Sequence, residues 1–166
     1  MFKIYFAIPF FVMMTSLTSC YSFRGISIDR EVFTFYVDDF ELNALNAPVT
    51  LDQDFSEALR DKIRRETRLT LSEVDPDLIF SGAIVRYDVT ALDPVQGERT
   101  ALNRLTIGIR VEYESMKNEE DKWQRTFSFF EDFPADQNLA DVEIQLIETI
   151  FEQITEDVFN AAFSNW

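Results

Sequence analysis

The stretch Thr100-Ala101-Leu102-Asn103-Arg104-Leu105-Thr106-Ile107-Gly108-Ile109-Arg110-Val111-Glu112-Tyr113 decides the fold. Leu105, Ile107, Ile109, Val111 and Tyr113 alternate with Thr106, Gly108, Arg110 and Glu112. Successive side chains of a strand point to opposite faces, so this alternation describes a strand with one face buried and the other wet. The full extended segment, Arg99 to Ser115, lies between two turn-forming clusters, Asp93-Pro94-Val95-Gln96-Gly97 and Lys117-Asn118-Glu119-Glu120. Beyond them lie two more extended segments, Asp77 to Leu92 and Lys122 to Phe133, the latter with Trp123, Phe127 and Phe129 on one face. Short turns between neighbouring strands predict an antiparallel meander.

Working outward, Glu31 to Phe40 is rich in β-branched and aromatic residues and reads as a first strand. Thr50 followed by Leu51 and Gln53 has the form of a capping box, and Leu51, Phe55, Leu59 and Ile63 recur at helical spacing. The pattern predicts a helix from Leu51 to about Arg68, with Asp52 and Asp54 in its first turn and Arg64, Arg65 and Arg68 in its last, as the helix dipole favours. A second, long helix runs from about Asn138 to Phe163, its apolar stripe formed by Ile147, Ile150, Phe151, Ile154, Val158, Ala161 and Ala162. The order β-α-β-β-β-α predicts an α+β fold: a four- to five-stranded, mostly antiparallel sheet with two helices packed on one face.

The N-terminus has the three parts of a secretion signal. Lys3 supplies the positive charge, Ile4 to Met14 is almost wholly apolar, and Leu17-Thr18-Ser19-Cys20 follows. The apolar run fits a signal core and is too short for a membrane span, which needs about 20 residues. A branched apolar residue, two small residues and a cysteine resemble the bacterial lipobox. Cys20 is the one cysteine in the chain, and an unpaired thiol in an oxidising compartment is a liability that lipidation removes. The expected domain plan is therefore a leader over residues 1–19 and one domain over residues 20–166, anchored at Cys20 by palmitate-type acyl chains. Several such chains, at about 0.8 kcal/mol per buried methylene, hold a protein firmly. With no aspartate directly after Cys20, the expected location is the periplasmic face of the outer membrane.

The chain carries a net charge of −15, from 15 basic against 30 acidic residues. Such a surface repels nucleic acid, and seventeen Phe argue against disorder. There is no histidine, which removes imidazole catalysis and histidine metal sites. Four glycines leave no room for a phosphate-cradling loop. Carboxylates such as Asp38-Asp39, Glu119-Glu120-Asp121 and Glu131-Asp132 fall at strand ends and turns, where acids are ordinarily solvated, so the reading is a non-enzyme with neither cofactor nor metal. Charge is unevenly placed. Glu119 to Asp157 holds twelve acids against Lys122 and Arg125, whereas Arg86, Arg99, Arg104 and Arg110 face only Asp88, Asp93 and Glu98 over their own span. Arginine grips phosphate bidentately. Arg104 and Arg110, six residues apart, share the face opposite Leu105 and Ile107 if the strand is regular. These four arginines are candidate contacts for an anionic lipid headgroup or a partner, with neutralisation of local acids as the competing explanation.

In order, Cys20-Tyr21-Ser22-Phe23 with Gly25 and Ser27-Ile28, Phe55-Ser56-Glu57-Ala58-Leu59 continuing to Thr67-Arg68-Leu69, Leu78-Ile79-Phe80-Ser81-Gly82, Thr100 to Ile107, and Asn160-Ala161-Ala162-Phe163-Ser164-Asn165-Trp166 resemble the LptE family. The resemblance implies a small sheet with two helices and no catalysis. It also implies a lipoprotein that plugs the lumen of the LptD β-barrel, assists that barrel's assembly and binds lipopolysaccharide on its way outward. Cys20 matches the anchor position, and Arg86, Arg99, Arg104 and Arg110 become candidate contacts for lipopolysaccharide or partner. The alternative is a lipoprotein that carries an anionic lipid without a barrel partner, which would need a deep apolar pocket between helix and sheet. Replacing the thiol tests the anchor. Cys20→Ala should accumulate as an unlipidated precursor that no longer fractionates with the outer membrane, and normal fractionation of that variant would refute the assignment.

Overall fold

The computed structural model describes residues 28–92 and 101–164. Its elements are β1 (Thr34–Val37), β2 (Glu41–Leu42), α1 (Leu51–Glu66), β3 (Thr70–Leu71), β4 (Leu78–Leu92), β5 (Leu102–Ser115), β6 (Lys122–Pro134) and α2 (Leu139–Phe163). The fold is α+β, as the element order predicts. The sheet runs β3-β1-β4-β5-β6, with β2 paired to Ala83 and Ile84 further along β4. β4, β5 and β6 form the expected antiparallel meander. The difference lies at the other edge, where β1 pairs in parallel with both β3 and β4, and β2 also pairs in parallel with β4. The sheet is thus six-stranded and mixed. A parallel partner for β1 follows from α1, because a helical crossover returns the chain to the end from which it left.

Leu105, Ile107, Ile109 and Val111 are fully enclosed, and Tyr113 nearly so. Against them α1 presents Leu51, Phe55, Leu59 and Ile63, and α2 presents Ile150, Ile154, Val158, Phe159 and Phe163. Of the α2 stripe the sequence predicts, Ile150, Phe151, Ile154 and Val158 are buried, while Ile147, Ala161 and Ala162 are half-buried and Phe159 and Phe163 take further buried positions. Edge-on rings join the layers, with Phe40 to Phe55 at 5.0 Å and Phe55 to Phe151 at 5.2 Å between centroids. Each fully buried aliphatic side chain contributes about 1.5–3 kcal/mol.

The first strand is shorter than the expected Glu31–Phe40. Phe33 and Thr34 donate their N–H groups to Asp77 Oδ2, at 2.8 and 3.0 Å, and Arg60 donates to Val37 O and Asp39 Oδ1 at the strand's far end. Thr50 does not form the expected capping box. Its backbone is helical, and its hydroxyl bonds Asp54 Oδ2 at 3.0 Å instead of a backbone N–H. The helix polarity is as read at Asp52 and Asp54, which open α1, and at Arg64 and Arg65, which close it, but the helix stops at Glu66 and Arg68 lies beyond its C-cap Thr67. Buried Ser56 accepts from Phe40 N and donates to Asp52 O, tying the β1–β2 connection to α1.

Asp77 is a clasp at one end of the sheet. Besides the two N–H groups, its carboxylate holds Lys117 at 3.0 Å, and its own N–H donates to Thr34 Oγ1. The hydrogen bond from Phe33, followed by the one from Lys117, holds this carboxyl far below the ordinary carboxylate range. A depressed pKa contributes stability that is present above the unfolded-state value and lost as pH falls through the folded-state value. Asp77→Ala should therefore destabilise the domain by roughly 1–3 kcal/mol. In urea unfolding, the deficit should hold from pH 7 down to about 4 and close only below that. A deficit independent of pH would overturn the ionic account.

Candidate functional site

Both helices lie on one face of the sheet, and no element of the described residues covers the other. Alternation therefore delivers every second residue of β4, β5 and β6 to an uncovered surface. Cross-strand register orders it into rungs: Ala83–Arg110–Thr126, Arg86–Gly108–Ser128, Asp88–Thr106–Phe130 and Thr90–Arg104–Asp132. Three of the four arginines singled out in the sequence are brought together here. Arg99 and the anchor Cys20 lie outside the described residues.

Arg86 reaches this face through a bulge. Ile84 pairs with Ile109 and Arg86 with Gly108, so Val85 is the extra residue. In an unbroken strand Arg86 would share the inward face of Ile84. The inserted residue sends it outward and gives the next core position to Tyr87, which is buried and donates its hydroxyl to Glu143 of α2. Gly108 makes room for Arg86: a Cβ there would sit 3.0 Å from the Arg86 Cβ. Gly82, inside β4, is required for closeness of another kind, since a Cβ would come within 2.0 Å of the Arg110 carbonyl oxygen.

The three arginines are not equivalent. Arg104 makes a two-pronged bond to Asp132, Nε to Oδ1 at 2.7 Å and a terminal nitrogen to Oδ2 at 2.9 Å, and its guanidinium lies 3.6 Å from the centre of the Phe130 ring. The Arg104 hydrogen bond pulls the Asp132 carboxyl below its ordinary range, and the same bond raises Arg104. Arg86 bonds Asp88 Oδ2 at 2.6 Å. Local neutralisation therefore describes both. Arg110 is different: its Nε is enclosed without a hydrogen-bond partner, and it makes no ion pair among the described residues. Of the second basic cluster, Arg64 faces Asp61 at 3.6 Å and Arg68 donates to Asp29 O.

Sequence reasoning missed the surface between the helices. A groove of about 1270 Å³ there is lined by Asp54, Glu57, Asp61, Glu143, Glu148 and Glu152 among others. Lys62 bridges the two helices, bonding Glu66 at 2.5 Å and also Glu156. Burial lowers the Lys62 pKa, and the bonds to Glu156 and Glu66 more than reverse that, leaving it above the ordinary value. Spacing within one helix could have paired Lys62 with Glu66; the partner on the second helix had no local signal. Between helices and sheet, among the described residues, the space is filled by side chains such as Phe35, Phe55 and Phe80. Among the described residues no cluster suited to a metal ion occurs, and no helix is long and apolar enough to cross a membrane.

The described residues thus form a two-helix, mixed-sheet α+β domain with the three arginines on the sheet face away from the helices. The family is specific: a model described as LptE, lipopolysaccharide-assembly, matches residues 33–162, and the chain belongs to that family. It is a family of outer-membrane lipoproteins. No curated protein matches the chain. Solved structures share its fold at low identity. A protein of Xanthomonas campestris superposes with a TM-score of 0.58 at 9% identity, covering 84% of this chain and 90% of that one. A hypothetical protein of Chlamydia trachomatis gives 0.53 at 8%, covering 81% and 99%. A neuraminyllactose-binding hemagglutinin homolog from Helicobacter pylori gives 0.52 at 10%, covering 86% and 91%.

Proposed function

We propose that this protein is a lipid-anchored, non-enzymatic partner of the LptD barrel, plugging its lumen and assisting its assembly so that lipopolysaccharide reaches the cell surface. The observation that carries the reading is the family match, which runs from the start of β1 almost to the end of α2 and so takes in the whole packed domain. The architecture supports it. A sheet face without a helical cover, studded with arginines, can lie against another protein or an anionic lipid without any part of the domain unfolding. The groove between the helices, on the other side of the sheet, is lined by acids.

Tagged protein recovered from detergent-solubilised outer membrane should bring down a large β-barrel in near-equal amount; recovery of the chain alone would count decisively against the partnership.

Within this reading Arg110 is the strongest candidate contact for a lipopolysaccharide phosphate, because Arg86 and Arg104 are already engaged by carboxylates. Arg110→Glu should weaken lipopolysaccharide binding at least fivefold, a loss of about 1 kcal/mol or more. Arg104→Gln should weaken it less. Equal losses from the two variants, or none from Arg110→Glu, would remove Arg110 from the site.

A further inference from the structure

β6 is the last strand of the sheet. It pairs with β5 along its length and, among the described residues, with no strand on its other side. The ends of the ladder show which way its backbone groups point. Ser115 N donates to Asp121 O, and Ala135 N donates to Ala101 O; both pairs fall on the same register as Leu105–Glu131 and Ile109–Phe127. Hydrogen-bonded pairs recur at every second residue of an antiparallel ladder. The odd-numbered residues of β6 therefore turn N–H and C=O toward β5, and the even-numbered ones, Lys122 to Asp132, turn theirs to the open side. An edge of thirteen residues with these groups free is a template for another strand.

Two charged side chains indicate which strand. Arg125 and Glu131 occupy the helix-side face of β6, opposite Val111 and Leu105 of β5. Neither makes an ion pair among the described residues, although the Arg125 guanidinium lies 5.4 Å from the Trp123 ring. Inward charges on an edge strand ordinarily discourage pairing, unless the arriving strand carries their complement at the right register. A second copy of β6 does. Laid antiparallel about a two-fold axis at Ser128, it sets each Arg125 opposite the other copy's Glu131. The same register sets Phe127 opposite Phe129 and Trp123 opposite Phe133. It also places even residues against even ones, Thr126 against Phe130 and Gln124 against Asp132, so the free N–H and C=O groups meet. Sliding by one pairing step puts Arg125 against Phe129 or Phe133, and the charge match is lost.

We propose that the protein self-associates through β6, two copies forming one continuous sheet about a two-fold axis at Ser128. The contact is isologous, each strand contributing the same surface, and it concerns the chain outside the barrel, because a copy paired through β6 is not the single plug of a lumen.

The test uses the mature protein in detergent. Ser128→Cys treated with a short-armed bifunctional maleimide should give a covalent dimer. Thr126→Cys should not, because its symmetry mate lies four residues along the strand, roughly 14 Å away. The unsubstituted chain, run beside them, reports any reaction of Cys20 itself. Light scattering should show a dimer that Arg125→Glu or Glu131→Arg weakens about tenfold and that the two together restore, with circular dichroism confirming that each variant is folded. A monomeric unsubstituted protein, equal cross-linking at positions 126 and 128, or folded double variants that stay monomeric would each overturn the proposal.

Discussion

Burial on one side only of β5 is the constraint from which the rest of the molecule follows. β5 lies between β4 and β6, and its inward residues Leu105, Ile107, Ile109 and Val111 are removed from water completely. Truncating any of them would cost roughly 2–5 kcal/mol, a large share of the stability of a domain this size. That face must be roofed, and α1 and α2 roof it together, each too narrow to cover a five-strand width alone. Both helices are committed to one side, so among the described residues no element covers the opposite face of β4, β5 and β6. The uncovered surface is thus a consequence of how the core is closed.

That constraint is also why so much could be read in advance. The period of two in Leu105 to Tyr113, the period near 3.6 in Leu51 to Ile63, and the turn at Lys117 to Glu120 are local signals, and each produced the element expected; the turn read at Asp93 to Gly97 lies outside the described residues. What escaped has no local signal. The parallel pairing of β1 with β4 depends on where α1 returns the chain, and β2 and β3 are two-residue pairings that exist only because a neighbouring edge is present. Arg86 is the clearest case at the candidate site. Its side is set by one bulged residue, Val85, and counting along β4 from Ile84 would have placed it in the core.

The arginines teach a related lesson about charge. Arg104 and Arg110 share a face as their spacing requires, but their states differ because of residues far away in sequence. Asp132, the cross-strand neighbour of Arg104, is 28 positions distant and engages both prongs of its guanidinium. Thr126, the neighbour of Arg110, carries no charge. Only the register of β5 against β6 decides this. Elsewhere single ions act as fasteners: Asp77 holds the starts of β1 and β4 together, and Lys62 holds α1 to α2. In a chain with twice as many acids as bases, half of the twelve cations among the described residues are held in ion pairs.

The imbalance bears directly on recognition. A ligand phosphate that approaches Arg104 must first displace Asp132, giving up two charge-assisted bonds to make its own, so the net gain is small even in good geometry. At Arg86 it must compete with Asp88. At Arg110 nothing is surrendered, and a partly enclosed guanidinium without a partner gains more from an anion than an exposed one does, because less water screens the pair. The two engaged arginines then act in another way: with Asp88 and Asp132 they form neutral pairs, so that of the three arginines it is Arg110 that keeps an uncompensated charge among the described residues. A polyanion therefore has a preferred point of approach at Arg110, on the face away from the acidic groove between the helices. That preference is set by where carboxylates are missing, not by how many arginines are present.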